Sequence, residues 1–342
     1  MMLRKEGDDT AKPEESSIPS SGPARWKSSA SAAGERLDVY IARVFETSRN
    51  QVARWISEGR VTVANREAKP GLKLDGEEWI SCEPKVVSQE GRVDPEEGDL
   101  RVIYEAEDLV VLDKPPDLVM HPGAGRPAGT LANRLLAAYP EMASVGGAGR
   151  PGIVHRLDRG TSGVVVTART AEAYLALTEA FATRRVGKTY LAIAFGAPKE
   201  AEGTISAPIG RHALRRKEMA VASQGRPAET VFRALASHSG LTLFELRPVT
   251  GRTHQIRVHL KHAGHPIVGD PVYGEARWKD LARIVQTAAR DFPRPALHAW
   301  KLALPESVNG TAREFSAPLP DDMRELWLEC TGTDLPAAVC AD

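Results

Sequence analysis

Cysteine is scarce. Cys82, Cys330 and Cys340 are the only three in 342 residues, and none stands in a Cys-x-x-Cys spacing. A disulfide framework or zinc ribbon is not expected, and a reducing compartment is. Net charge is also missing, with 45 Lys+Arg against 45 Asp+Glu. A polyanionic partner would therefore have to be met by local clusters, not by the bulk field. No apolar run approaches the roughly 18 residues of a membrane span. The first residues, MMLRKEGDDTAKPEESS, lack the apolar core of a secretory signal. A cytoplasmic protein is expected, with no membrane partner. No Walker or Rossmann glycine pattern occurs, so a nucleotide cofactor has no support. Zinc favours two histidines at i, i+4 on a helix, whereas His254, His259 and His262 are spaced five and three apart. No metal and no cofactor are expected.

What is present reads as a soluble globular chain of two domains, or of one domain with an appendage. Residues 1–33 are rich in Ser, Ala, Pro, Gly and charge and read as a disordered tail. Residues 34–86 read as a compact module. Leu37, Tyr40, Ile41 and Val44 recur at helical spacing, Ser48 with Gln51 makes a capping box for a second helix, and Gly59 closes it. Arg43, Arg49, Arg54 and Arg60 cluster there, with only Glu46 and Glu58 as opposing charges, which suits phosphate contacts. A polar linker over 87–98 precedes the main domain at 99–328, and 329–342 reads as a tail. In the main domain short strands are joined by short turns without a βαβ rhythm. This indicates an α+β fold with a largely antiparallel mixed sheet and a central cleft. Helices are expected over Thr130–Tyr139 and Thr170–Phe181, and a loose excursion over 275–296.

Three stretches carry chemistry. In Gly152–Thr167 two β-branched runs flank a turn, His155-Arg156-Leu157-Asp158-Arg159-Gly160-Thr161-Ser162-Gly163. Asp158 stands between two arginines, which favour its ionised form. It can serve as nucleophile, base or anion partner, or be half of a local surface ion pair. The second stretch, Arg211-His212-Ala213-Leu214-Arg215-Arg216-Lys217, is a basic loop with no acid before Glu218. The third, Gly251-Arg252-Thr253-His254-Gln255-Ile256-Arg257-Val258-His259-Leu260-Lys261, reads as a helix capped by Thr253 and ended by Gly264. Ile256, Leu260 and Ala263 would form its buried stripe, leaving His254, Arg257 and Lys261 on another face. Residues 246–269 hold four Lys/Arg and no acid, a one-signed patch suited to a polyanion.

These strings, with Asp113-Lys114-Pro115, His121-Pro122-Gly123, Lys188-Thr189-Tyr190 and Gly269-Asp270-Pro271-Val272-Tyr273-Gly274, resemble the RNA pseudouridine synthases of the large-subunit ribosomal RNA type. Residues 34–86 are similar to the small RNA-binding module first seen in a ribosomal small-subunit protein. The resemblance spans about residues 34–325. It implies isomerisation of uridines to pseudouridine in a stem-loop of large-subunit ribosomal RNA, by an aspartate and without cofactor. Asp158 matches the essential aspartate, Tyr190 the tyrosine that stacks on the target base, and Arg257 the arginine paired with the aspartate. Arg156 matches the side chain that takes the flipped uridine's place in the stack. His155, Arg211, Arg215, Arg216, Lys217, Arg252, His254, Arg43, Arg49 and Arg54 are the expected RNA contacts, and a monomer bound to structured RNA or a pre-ribosome is the expected state. Two other classes stay open. One is a non-catalytic RNA-binding factor on the same scaffold. The other is a hydrolase using Asp158, which would want a second carboxylate.

Overall fold

The computed structural model describes residues 23–84 and 93–340, apart from positions 46, 48, 65, 70, 124, 148, 217, 275, 276, 278, 280 and 309. The chain forms two compact units, divided after Gly91.

The first unit has helices α1 (Leu37–Val44) and α2 (Arg49–Ser57). Its four-stranded antiparallel sheet runs β1 (Ala24–Lys27), β4 (Trp79–Cys82), β2 (Val61–Val63), β3 (Arg66–Glu67). The helices turn Leu37, Tyr40, Ile41, Val52 and Trp55 onto Val61 and Ile80. Gly59, at φ +73°, closes α2 as its position implies. The expected cap Ser48 lies outside the described residues. β1 corrects the expectation of disorder to residue 33. Trp26 is almost wholly buried there, edge-on to Phe45 at 5.6 Å, with its indole N–H donating to Tyr40 Oη at 3.3 Å. One large aromatic anchors an otherwise polar segment.

The second unit is built on a nine-stranded sheet. Its order is β5 (Arg101–Glu105), β6 (Leu109–Lys114), β7 (Ser162–Ala168), β14 (Leu297–Leu304), β8 (Gly187–Phe195), β13 (Leu241–Pro248), β12 (Glu229–His238), β9 (Glu202–Ser206), with β15 (Arg313–Ser316) paired to β14. Every pairing is antiparallel except β7 with β14. A separate ribbon joins β10 (Ile209–Arg211) to β11 (Met219–Val221). The central strands carry long apolar runs because both faces are covered. Val110, Leu112 and Val165 enter one core, while Leu109, Val111, Val164 and Val166 enter the other.

Helix α3 (Leu131–Ala138) starts at Thr130, whose backbone N–H donates to Asn133 Oδ1 at 3.0 Å. Thr170 Oγ1 caps α4 (Ala171–Ala182) by accepting the Ala173 N–H. α5 (Gln255–His262) follows β13. The expected excursion at 275–296 contains α6 (Arg283–Asp291), with Val285 and Ala289 buried. The expected tail at 329–342 is also packed: it holds the end of α7 (Asp321–Thr331) and α8 (Ala337–Cys340), with Cys330 and Val339 buried. Of the expected linker, residues 93–98 belong to this unit, where Val93 is buried and Asn133 Nδ2 donates to the Asp94 carbonyl at 2.8 Å.

Candidate active site

The loop before β7 presents Asp158. Two features hold it. Lys114, almost wholly buried at the end of β6, donates to the carbonyls of Pro115 (2.7 Å) and Leu118 (2.9 Å) and reaches toward that of Arg159. Gly163, at φ +112°, lets β7 approach β14 so closely that a Cβ would sit 2.1 Å from the Ala299 carbonyl oxygen. His155 Nε2 accepts the Val166 N–H at 3.0 Å and the ring stacks on Phe181 at 4.7 Å. Burial pushes this imidazole down to about 3, so it is a neutral packing group and not a phosphate-binding cation.

Arg257, on α5, reaches across 99 residues of sequence to donate from Nη1 to Asp158 Oδ2 at 3.0 Å. Its remaining edge is taken by Asp270, with Nε to Oδ2 at 2.6 Å and Nη2 to Oδ1 at 2.8 Å. Asp270 is fully buried, and its Oδ1 also accepts the N–H groups of Val272 and Tyr273. Burial opposes the charge on Arg257, but the two carboxylates more than offset it and raise its pKa. Burial likewise pushes Asp270 up, and the Arg257 bonds outweigh it, leaving the carboxyl below its ordinary range. Tyr273 lies under the guanidinium at 4.9 Å and shares a 2.7 Å hydrogen bond with His254 Nδ1. His254 Nε2 is 3.8 Å from Asp158 Oδ1.

Asp158, Arg257, His254, Arg156 and Tyr190 line one cleft of about 550 Å³. Tyr190 comes from β8, and its phenol is pushed well above its ordinary value by burial and then by the Asp158 charge. It is therefore protonated at neutral pH. A partly open carboxylate held by a guanidinium, beside an aromatic ring in a cleft of nucleotide size, suits chemistry on a flat base and its sugar.

The family model for RNA pseudouridylate synthase matches residues 108–262, and that for the S4 domain matches 35–80. The ribosomal large subunit pseudouridine synthase D of Escherichia coli is 42% identical over 297 residues, covering 86% of this chain and 90% of that protein. The protein of the same name from Vibrio vulnificus is 44% identical over 297 residues, with the same coverage. The chain belongs to the RNA pseudouridylate synthases. The solved structure of human RNA pseudouridylate synthase domain containing 1 is similar, with TM-score 0.53 and 29% identity, over 72% of this chain and 98% of that one. Membership makes the chain an isomerase with an α+β synthase fold and an S4 module.

Within this pseudouridine synthase, the structure brings Asp158, Tyr190, Arg257, Arg156, His155, Arg252 and His254 to one cleft. Arg211, Arg215 and Arg216 stand apart on the β10–β11 ribbon, exposed. Arg215 is matched by Glu218 at 3.2 Å, and Lys217 lies outside the described residues. The module arginines are more fully matched than the sequence suggests. Arg43 pairs with Glu35 (3.0 Å), Arg49 with Asp38 (3.1 Å) and Arg54 with Glu58 (3.1 Å). Thr253 does not cap α5: His254 takes that place in the left-handed region at φ +55°, which turns its ring toward Asp158. Arg257 is not on an open face either, since Gln255 through Leu260 are all buried. Asp270 is the residue at this site that sequence reasoning missed. Its only signal was a lone carboxylate in the Gly269–Gly274 string, 13 residues from the arginine it grips.

Proposed function

We propose that this synthase converts uridines in a stem-loop of large-subunit ribosomal RNA to pseudouridine, as a cytoplasmic monomer whose amino-terminal module anchors structured RNA. The relatives named for the ribosomal large subunit, at 42% and 44% identity over nine-tenths of their length, support the substrate. Among the described residues no helix is long and apolar enough to cross a membrane. The carrying observation for mechanism is the Asp158 carboxylate, one-fifth exposed, held at 3.0 Å by Arg257 inside the cleft.

The reaction is redox-neutral. The N1–C1′ bond breaks, the base turns, C5 bonds to C1′, the C5 proton leaves and N1 gains a proton. A uridine must first leave its stack, at a cost of a few kcal/mol that looped RNA reduces. Tyr190 stacks on the extruded base and Arg156 fills the gap it leaves. Asp158 then acts on the sugar, by attack at C1′ or by removing a sugar proton. Arg257 holds the carboxylate in line. A neutral Tyr190 phenol takes part in C5 deprotonation only if the bound base lowers its pKa. A glycosidase-type hydrolase is disfavoured, because the other nearby carboxylate, Asp270, has both oxygens on Arg257 and no exposure.

The test is incubation with an unmodified large-subunit ribosomal RNA transcript, followed by chemical mapping of pseudouridine. New pseudouridines confined to one stem-loop are expected. Modification of transfer RNA alone, or release of free uracil, would overturn the reading.

A further inference from the structure

Besides Asp158 and Arg257, the cleft is lined by cations that the isomerisation does not use. Arg184 follows α4, Lys188 lies on β8 two residues before Tyr190, Arg226 precedes β12, and Arg252 precedes α5. Among the described residues Asp158 is the only acid in the lining. Among the described residues these four cations stand in no ion pair, whereas Arg169 is matched by Glu105 and Glu141 and Arg294 by Asp322. They also crowd one another. Burial and then the charges of Arg226 and Arg184 depress Arg252, and burial and then Arg184 depress Lys188. A one-signed cluster of this kind is relieved when an anion enters.

The cluster is held ready. Gln255 Oε1 accepts the Arg252 N–H (3.0 Å) and the Thr250 hydroxyl (2.7 Å), and its Nε2 donates to the Glu229 carbonyl (2.8 Å). Arg252 Nε donates to the Pro227 carbonyl at 3.1 Å, which staples its loop to the one carrying Arg226. Arg184 sits at φ +61°, just past the α4 cap, where glycine is the unstrained choice. A long cationic side chain at a glycine position indicates a task for that side chain.

Uridine's base and ribose are uncharged at neutral pH, so these cations have nothing to bind unless the backbone accompanies the base. We propose that Arg184, Arg226 and Arg252 form a clamp, with Lys188 as a fourth contact, for the phosphodiester linkages flanking the flipped nucleotide. The clamp rests on the reading that RNA is the substrate of this cleft. It divides the work: Asp158 and Tyr190 take sugar and base, and the clamp takes the backbone.

The experiment measures binding of the full chain to a stem-loop oligonucleotide across salt. A single neutral methylphosphonate is placed in turn at each linkage around the target uridine. In the wild type, one or two linkages next to the target should each lose about tenfold in affinity when neutralised. Arg226→Ala and Arg252→Ala should lose a similar amount with unmodified RNA and lower the salt slope by about 0.7–1 each. They should then be insensitive to the linkage they contact. Arg184→Gly relieves the backbone, so it should melt at or above the wild-type temperature while binding RNA less tightly. Equal sensitivity to neutral linkages in wild type and variants, or wild-type binding by Arg184→Gly, would overturn the clamp. Tritium release from the same RNA, labelled at uridine C5, reads the other claim separately. Linkage-specific binding without release sinks the isomerase substrate and not the clamp, and release with clamp-independent binding does the reverse.

Discussion

Asp270→Asn is the most informative single change. The asparagine keeps the volume but has one acceptor oxygen where the carboxylate has two. If that oxygen serves Arg257 Nη2 and the N–H groups of Val272 and Tyr273, the side-chain NH2 is turned against Arg257 Nε–H, now 2.6 Å from a carboxylate oxygen. A hydrogen bond to a charged group is worth about 1.5–3 kcal/mol, and stranding a buried charge costs about 3–5. Arg257 keeps Asp158 at 3.0 Å, so the lower part of that range applies, about 3 kcal/mol. For a domain of this size that corresponds to a melting shift of about 6–12 °C. The guanidinium also loses the grip on one of its three nitrogens, Nε. Misplacement by about 1 Å can cost roughly a hundredfold in rate, so single-turnover isomerisation should fall about 10- to 100-fold with RNA affinity nearly kept. Differential scanning fluorimetry and rapid quench check the two halves. A variant that melts within about 2 °C of wild type and turns over normally would refute the claim that Asp270 positions Arg257.

Other outcomes follow from the same geometry. A lysine lacks the planar fork that grips Asp270 with two nitrogens while the third reaches Asp158, so Arg257→Lys should lower the chemical step at least about tenfold, and its effect should not add to that of Asp270→Asn in a double-mutant cycle. The Asp270 carboxyl lies below its unfolded value of 3.8, so its stabilisation is present above that value and lost as the pH falls through the lower folded one. The melting difference between wild type and Asp270→Asn should accordingly shrink below about pH 4. Trp26→Ala should destabilise the amino-terminal unit by about 3–5 kcal/mol, read by hydrogen exchange in β4, its pairing partner; unchanged protection would mean β1 is not part of that core.

Much of the site was legible because its chemistry sits in short strings. The Asp158 turn, the Lys188-Thr189-Tyr190 strand and the Arg257 helix each carry their residue types locally, and the fold only brings them together. Where reading failed, the missing information was tertiary. Trp26 looked like part of a polar tail because its partners Phe45 and Tyr40 lie in another element. Thr253 matched a cap by type, yet the left-handed turn falls one residue later, at His254. The α5 periodicity assigned Arg257 to an open face, whereas Asp158 and Asp270 allow its charge to be buried. Arg49 seemed free for phosphate because Asp38 lies 11 residues away. The cations lining the cleft come from four separate segments and form a cluster only in the folded chain.

The central claim is that the Asp158 carboxylate performs the isomerisation and does little else. Its side chain is one-fifth exposed and gives Arg257 only one of its three carboxylate contacts. Asp158→Asn should therefore fold with at most about 1 kcal/mol of lost stability and bind the stem-loop within a few-fold of wild type. The decisive measurement is single-turnover tritium release from C5-labelled uridine RNA, with enzyme in excess at a concentration that saturates both proteins. The account predicts stoichiometric release by the wild type and none by Asp158→Asn. Release by a contaminant-free Asp158→Asn preparation would contradict it.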